Sequence, residues 1–166
     1  SEEEIFGIVE VMREQMLSID LTGKILDTCG TGGDGASTIN VSTMAAFVCA
    51  AAGVPVAKHG NRSISSKCGS FDVLESLGVK IDLNPEQAKK CFAKTGMVCL
   101  FAPIYHPAMK NIGPIRKELG IRTIFNFIGP LLNPAKATHQ LIGVSSLEKA
   151  EKLGRIMIRL GSKKVL

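Results

Sequence analysis

Hydrophobic and polar positions follow two different periods along this chain. Residues 2–17 carry apolar side chains every three to four positions, which predicts an amphipathic helix. Short apolar runs beside glycine or polar residues indicate strands at 24–28, 54–58, 97–101 and 163–166. Between them the pattern predicts helices at 44–52, 71–77, 85–95, 107–119 and 147–160. Strands separated by helix-length segments are typical of βαβ units, so we expect an α/β fold with a mainly parallel sheet flanked by helices.

The N-terminal helix stands apart from this alternation. Its first turn is acidic, which suits the positive end of a helix dipole, and no second helix follows it before the first strand. We therefore expect residues 1–20 to be the remnant of a small helical domain. Residues 21–166 then form the α/β domain. Because its last strand begins where the chain stops, we expect this domain to be incomplete at its C-terminus.

Boundary residues support two of the predicted helices. Ser70 precedes the helix at 71–77 as a candidate N-cap, and Gly78 follows the last turn. The helix at 85–95 has Pro85 at its first position and Gly96 after its end.

A glycine-rich loop follows the first predicted strand. The segment Asp27-Thr-Cys-Gly-Thr-Gly-Gly-Asp-Gly35 holds four glycines in its last six residues. Glycine lets the backbone turn freely and approach a ligand closely. A strand, such a loop and then a helix start direct backbone N–H groups at one point beside a positive dipole end. The chemistry favours a bound phosphate or pyrophosphate.

Two other interpretations of this loop fit less well. Gly30, Gly32 and Gly35 match the G-x-G-x-x-G pattern of dinucleotide-binding folds, but no acid occurs between Asp34 and Asp72 to hold a ribose. A P-loop is excluded because no Gly-Lys-Ser/Thr closes the run. A glycine-rich turn without any ligand is the remaining alternative.

Polar clusters follow three of the predicted strands, at residues 30–35, 58–70 and 102–106. The carboxyl ends of parallel strands lie at one edge of a sheet, where ligands bind. An edge that collects glycine N–H groups, hydroxyls, Lys58 and Arg62 predicts a multiply phosphorylated ligand.

Composition narrows the classes of function. The 166 residues are 45% hydrophobic and carry a net charge of +5, without tryptophan and with one tyrosine. Little aromatic surface is available for stacking bases, so we do not expect a nucleic-acid partner. The five cysteines form no C-x-x-C pair, and the longest apolar run, at 45–56, is too short to span a bilayer. We expect a cytoplasmic protein with reduced thiols and no membrane partner.

Four segments together resemble one family. They are Gly30-Thr-Gly-Gly-Asp-Gly35, Asn40-Val-Ser-Thr43, Lys58-His-Gly-Asn-Arg62, and Arg122-Thr-Ile-Phe-Asn126 with Gly129-Pro130. In order and spacing they resemble the anthranilate phosphoribosyltransferases, which belong to the nucleoside-phosphorylase-like phosphoribosyltransferases. The resemblance implies a helical domain beside an α/β phosphoribosyltransferase domain, and a homodimer formed through the helical part. It also implies transfer of phosphoribosyl from phosphoribosyl pyrophosphate (PRPP) to the amine of anthranilate, with release of pyrophosphate, in tryptophan biosynthesis.

The resemblance assigns most of the candidate site to PRPP. By matching position, these residues are Gly30, Gly33, Asp34, Thr38, Asn40, Val41, Ser42, Thr43, Lys58, His59, Gly60, Asn61, Arg62, Ser63, Ile64, Ser65, Ser66 and Ser70. The anthranilate contacts are Gly30, Asn61, His106 and Arg116, and Ser42 matches a contact to Mg²⁺, the implied cofactor. No general acid, general base or nucleophile is assigned, because an aromatic amine is already a neutral nucleophile.

The sequence departs from the family pattern in two ways. Cys68 and Phe71 stand where the family more often has serine and alanine, and we expect the bulky Phe71 to point away from the ligand. The adjacent Asp-Glu pair through which the family binds magnesium does not occur in these residues. We therefore expect residues 1–166 alone to bind PRPP weakly and to lack turnover.

Several assigned residues also have simpler interpretations. Without the family match, we would interpret Arg116 as a solvated surface charge and Asp34 as a helix cap. His106 would then be the cap of a turn. We favour a substrate-lining role for His59 over that of a base. Asn126 and the Gly129-Pro130 pair are interpreted as structural turn residues, and His139 as a surface residue.

Two other functions remain open. One is that of a pyrimidine nucleoside phosphorylase, which shares the fold and a glycine-rich phosphate loop. The other is a non-catalytic relative whose basic cleft binds nucleic acid. The His-Gly-Asn step and Arg116 favour an amine acceptor with a carboxylate over a nucleoside.

Overall fold

A parallel sheet forms the centre of the protein. The computed structural model describes residues 1–32, 39–63, 68–121 and 123–166, and within them five strands pair in the order β3-β2-β1-β4-β5. The strands are β1 (Leu26–Gly30), β2 (Val56–Gly60), β3 (Met97–Phe101), β4 (His139–Gly143) and β5 (Lys164–Val165). All four pairings are parallel, which confirms the predicted α/β class.

One helix precedes the first strand, and the other helices lie in the connections between strands. They are α1 (Glu2–Gln15), α2 (Val41–Ala51), α3 (Ser70–Ser76), α4 (Pro85–Thr95), α5 (Ala102–Tyr105), α6 (Met109–Leu119) and α7 (Leu147–Arg159). Two short 3-10 turns, Ile124–Asn126 and Gly129–Leu131, lie between α6 and β4. Asn126 and the Gly129-Pro130 pair are thus turn residues, as the sequence indicated.

The helix ends follow their sequence signals with one exception. The Asn84 side chain accepts from the backbone N–H of Gln87 to cap α4, and Gly96 ends this helix with φ 71°. For α3 the prediction of the cap was wrong. Ser70 is the first helical residue and Gly69 is the N-cap, because the Ser70 hydroxyl donates to the Asn61 carbonyl instead.

Other boundaries shift by a few residues. The first two strands start two positions later than predicted, so that Gly30 and Gly60 lie inside them. Helix α2 starts at Val41 instead of residue 44, which places residues 41–43 in its first turn. The sequence did not predict α5 or β4. Strand β4 has only one buried side chain, Gln140, and so lacks an apolar run.

Two helices cover the β4–β5 end of the sheet. Ile5, Val9 and Met12 of α1 belong to the same buried cluster as Leu153 and Ile156 of α7, which also includes the 3-10 turns before β4. We call the contact between α1 and α7 the α1–α7 seam. Two ion pairs at its rim join the helices, Glu2–Arg155 at 2.7 Å and Glu3–Arg159 at 2.7 Å. These pairs are partly exposed, so burial of the apolar face contributes most of the stabilisation.

No helix in the described ranges has the length and apolar character needed to cross a bilayer. The division between residues 1–20 and 21–166 stays a prediction. Residues of the first segment bond directly to the second, with Leu17 N–H donating to the Tyr105 carbonyl at 2.8 Å and Ile19 N–H to that of Pro134 at 3.0 Å.

Asn133 ties the loop before β4 to the sheet. Its side chain is 2% exposed, its Nδ2 donates to the Ala57 carbonyl at 2.8 Å, and its Oδ1 accepts from Ala135 N–H at 2.8 Å. We expect Asn133→Ala to lower the free energy of unfolding by about 2 kcal/mol, because two buried backbone groups lose their partner. Urea denaturation measures this, with the exposed Asn111→Ala as control. A loss as small as that of the control would show that water replaces the amide.

Candidate functional site

Four strand ends meet at the carboxyl edge of the sheet. The register places Gly30 beside Gly143 and Gly60 beside Phe101, while Leu26 pairs with Val56 and so aligns β1 with β2. The polar segments that follow β1 and β2 therefore leave the sheet side by side. This confirms the expectation that residues distant in sequence share one edge.

The first turn of α2 lies next to this edge. Thr28 Oγ1 donates to the Ser42 carbonyl at 2.7 Å, which fixes the start of α2 against β1. Asn40 is the N-cap residue without a capping side-chain bond, and Thr43 Oγ1 is buried with no hydrogen-bond partner among the described residues. A helix start carries a partial positive charge and unsatisfied N–H groups. This turn can therefore accept an anion.

Lys58 lies beneath this turn. Its side chain is 1% exposed, and its Nζ donates to the Thr28 carbonyl at 2.6 Å and to Ser42 Oγ at 3.4 Å. An ammonium group is buried only where hydrogen bonds compensate for lost water, and these two acceptors do so. Lys58, which the family resemblance assigns to PRPP, is thus buried behind the start of α2, and its contact with PRPP stays a prediction.

Asp27 is a buried carboxyl. It is adjacent to Thr28 in β1, so its side chain lies on the opposite face of the sheet from that of Thr28. Its Oδ1 accepts from His59 N–H at 3.1 Å, and its Oδ2 has no hydrogen-bond partner in the described part of the chain. Burial raises the pKa of Asp27, while the Asn133 side chain, the Lys58 charge and the His59 N–H act in the opposite direction.

His59 and His106 form a buried pair. Their Nε2 atoms are 3.1 Å apart, the rings meet edge to face, and the side chains are only 6% and 4% exposed. Burial, followed by the neighbouring His106, lowers the pKa of His59 to about 3, and burial also lowers the pKa of His106. Both imidazoles are thus neutral at neutral pH.

Residues 61–63 leave β2 and run along α3. Arg62 is paired through one guanidinium nitrogen with both carboxylate oxygens of Glu75 at 2.9 Å, and its guanidinium lies 5.1 Å from the centre of the Phe101 ring. Phe71 is fully buried and stacks on Phe101, and the expectation that it points away from the ligand stays a prediction. Cys68 is exposed.

Arg116 lies on α6. Its guanidinium is 5.3 Å from the centre of the Phe125 ring, and partial burial lowers its pKa. No hydrogen bond joins Arg116 to Gly30, Asn61 or His106, all of which belong to the described residues. Among the described PRPP candidates, Ser42 and Lys58 are in hydrogen-bond contact at the sheet edge, while the binding roles of all the candidates and of Arg116 stay predictions.

Some predicted site residues lie outside the described residues. These are Gly33, Asp34, Thr38, Ile64, Ser65 and Ser66, together with Arg122 of the family motif. Of the others, Gly30, Val41, Asn61 and Arg62 are exposed, Asn40, Ser42, Gly60, Ser63, Ser70 and Arg116 are partly buried, and Thr43, Lys58, His59 and His106 are buried.

No sequence pattern indicated a role for Asp27, Asp72, Phe125 or Asn133, although the first three contact candidate site residues and Asn133 binds Ala57, next to Lys58. Asp27 gave a weak signal, as an acid inside an apolar strand. The other three contacts join residues that no local pattern relates.

The arrangement suits a ligand with clustered negative charge. A helix start, the Ser42 hydroxyl, the Lys58 ammonium and the basic residue Arg62 lie around one sheet edge, and anions bind where N–H groups and cations converge.

Solved structures share this architecture. Anthranilate phosphoribosyltransferase from Thermus thermophilus superimposes with a TM-score of 0.90 at 45% identity, over 97% of this chain and 49% of that one. The Saccharomyces cerevisiae enzyme in complex with PRPP and Mg gives a TM-score of 0.91 at 34% identity, over 99% of this chain and 47% of that one.

Sequence relatives bear the same name. Anthranilate phosphoribosyltransferase of Geobacillus stearothermophilus is 57% identical over 164 residues, which are 99% of this chain and 48% of that protein. The one from Bradyrhizobium sp. (strain BTAi1 / ATCC BAA-1182) is 55% identical over 161 residues, 97% of this chain and 48% of that protein. The chain thus spans about half the length of the curated relatives it matches.

The pattern of one protein family, described as "Glycosyl transferase family, a/b domain", matches residues 22–166. This match includes the sheet, the glycine segment and every candidate site residue. Because it covers well over half of the sequence, the chain belongs to this glycosyl transferase family.

Proposed function

We propose that this chain is part of an enzyme that transfers phosphoribosyl from PRPP to the amine of anthranilate, releasing pyrophosphate, in tryptophan biosynthesis. The observation that carries the proposal is the meeting of the α2 start, Ser42 and buried Lys58 at the carboxyl edge of the sheet. Relatives that are 53–57% identical bear the name of this enzyme.

The residues suit the chemistry of the leaving group. The bond between ribose C1 and the pyrophosphate oxygen breaks, so negative charge grows on pyrophosphate while the ribose becomes oxocarbenium-like. Fixed donors aimed at that charge stabilise the transition state more than the ground state. The N–H groups at the α2 start and the Ser42 hydroxyl supply such donors, and the Lys58 ammonium lies directly behind them.

The acceptor needs position rather than activation. The amine nitrogen of anthranilate forms the new bond to ribose C1 and then loses a proton, which leaves with solvent or pyrophosphate. We assign Asn61 and His106 to the acceptor side of the edge, and Arg116 to its carboxylate. The contact with His59 at 3.1 Å supports this assignment, because it holds the neutral His106 imidazole in one orientation.

Mg²⁺ is the cofactor that we propose. It binds oxygen atoms, usually one or two carboxylates together with phosphate oxygens. Within the described ranges no three His, Cys, Asp or Glu side chains form a group that could hold a metal ion. These residues do not fit a complete magnesium site, since Ser42 offers one hydroxyl oxygen. Oxygen atoms of pyrophosphate would supply further ligands.

We further propose a cytoplasmic homodimer, formed through the helical domain to which residues 1–20 contribute. The five cysteines are unpaired thiols, which suits a reducing compartment. Size-exclusion chromatography with light scattering on a protein of the relatives' length tests the dimer.

The proposed activity has a direct assay. A protein of the relatives' length that carries this chain is mixed with PRPP, anthranilate and Mg²⁺, and we expect PRPP-dependent loss of anthranilate fluorescence with release of one pyrophosphate per turnover. Phosphate-dependent cleavage of uridine without that loss would favour the nucleoside phosphorylase alternative.

Arg116→Ala should separate the two substrates. Losing a bidentate partner for the carboxylate should raise the KM for anthranilate about tenfold and leave the KM for PRPP within about twofold. Steady-state kinetics measure both constants. Arg155→Ala, which removes an arginine of the distant α1–α7 seam, is the control. Equal changes in both constants would make Arg116 a scaffold residue.

A further inference from the structure

Asp72 joins the two ends of the segment between β2 and α3. A single carboxylate oxygen, Oδ2, accepts from the backbone N–H of Ser63 at 2.8 Å and from that of Gly69 at 2.7 Å. These two residues are six positions apart in sequence, and Asp72 lies on the first turn of α3. The carboxylate is therefore the point at which the chain leaving the sheet is attached to the helix that follows.

The backbone at position 69 passes so close to that of Arg62 and Ser63 that this position requires glycine. A Cβ atom built on Gly69 would lie 2.4 Å from the backbone nitrogen of Ser63 and 2.8 Å from the carbonyl carbon of Arg62. Both distances are shorter than any Cβ contact, and both partners are backbone atoms that cannot rotate away. The absence of a side chain at position 69 lets Asp72 reach both N–H groups at once.

Other contacts from α3 hold Asn61 and Arg62, the two residues before Ser63. The Asn61 carbonyl accepts from Ser70 Oγ at 3.3 Å and from Phe71 N–H at 3.4 Å, while Glu75 binds the Arg62 guanidinium. Phe71 anchors α3 by stacking on Phe101. The Arg62–Glu75 pair joins two exposed side chains, whereas the charge-assisted bond from Ser63 to Asp72 holds the backbone itself. Hydrogen bonds to ionised acceptors are roughly twice as strong as neutral ones.

The two N–H donors also define the charge state of Asp72. The bonds from Ser63 and then from Gly69 lower the pKa of this carboxyl. The carboxylate is thus ionised throughout the neutral range and keeps both bonds.

We propose that Asp72 is a positioning residue, which sets the backbone of residues 61–63 at the site edge and so controls the affinity for PRPP without contacting it. This inference rests on the proposed function, because that function makes Asn61, Arg62 and Ser63 PRPP ligands.

Asp72→Asn tests the proposal. The amide keeps the shape of the side chain but offers a weaker acceptor to both N–H groups. We expect the KM for PRPP to rise about tenfold, with kcat within about twofold of the wild type. Amide hydrogen exchange should speed up at Ser63 and Gly69. Asp72→Glu keeps the carboxylate and should raise the KM for PRPP less than Asp72→Asn does.

Asp82→Asn is the matched control. It removes the same charge from an exposed carboxylate that pairs with Lys80 at 3.2 Å, so both constants should stay unchanged. An Asp72→Asn protein with wild-type KM for PRPP, or one in which kcat and melting temperature fall while KM does not change, would overturn the proposal.

The wild-type protein separates the two claims. If it fails to convert PRPP and anthranilate, the proposed function fails and the role of Asp72 fails with it. If the wild type turns over and the Asp72→Asn protein has the same KM for PRPP, only the role of Asp72 is wrong.

Discussion

Between pH 6.5 and pH 3, His59 alone should remove roughly 4 kcal/mol from the free energy of unfolding. Its pKa is lowered from 6.5 to about 3 in the folded protein, first by burial and then by His106. Above pH 6.5 both folded and unfolded states hold a neutral imidazole. As the pH falls below that value, the unfolded state binds a proton at this imidazole and the folded state does not. The free energy of unfolding therefore decreases until about pH 3.

His59→Gln provides the measurement. A neutral side chain at position 59 removes this titration, so we expect a flatter dependence of unfolding free energy on pH, measured by urea denaturation from pH 7.5 to pH 4. The same dependence in the wild type and in His59→Gln would mean that the imidazole is protonated in the folded state.

Neighbouring groups must be separated from this effect. His106 faces His59 directly, and its own pKa is lowered by burial. Asp27 acts with the opposite sign, because its pKa is raised: its contribution to stability is present at low pH and is lost as the pH rises through the folded value. Asp27→Asn measured over the same range isolates that contribution.

The second large effect concerns binding. We expect Lys58→Met to weaken PRPP binding by roughly 1.5–3 kcal/mol, about tenfold to a hundredfold, the range for hydrogen bonds to charged groups. The ammonium is bonded to Ser42 Oγ and to the Thr28 carbonyl beneath the α2 start. Removing the ammonium takes a buried positive charge from behind the start of α2 and leaves the Ser42 side chain without this partner.

Calorimetric titration with PRPP and with pyrophosphate tests this effect. Lys94→Met, which removes an exposed lysine in the last turn of α4, is the control and should bind both ligands like the wild type. Methionine fills most of the lysine volume, so a cavity is not expected to confuse the result. Wild-type affinity in Lys58→Met would show that the Lys58 ammonium does not contribute to PRPP binding.

Much of the fold could be predicted because its signals are local. Helix α4 agrees with the predicted range residue for residue, since an N-terminal proline and a final glycine mark its two ends. Strand β3 also agrees, because it is a continuous apolar run buried on both faces. Strand β4 gave no such signal. Two of its five residues are polar, and it is a strand because all five of its residues pair with β1.

The sequence by itself determined the fold class and the segments that carry the family resemblance, while phosphate binding at the glycine-rich loop stays a prediction. These features depend on residues adjacent in the chain, whose spacing fixes the direction of N–H groups and side chains. Only the tertiary structure decided that Lys58 is buried behind the start of α2 and that the His59 side chain meets that of His106. The physical reason is burial. Once packing removes water from a polar group, distant parts of the chain must supply its hydrogen-bond partners.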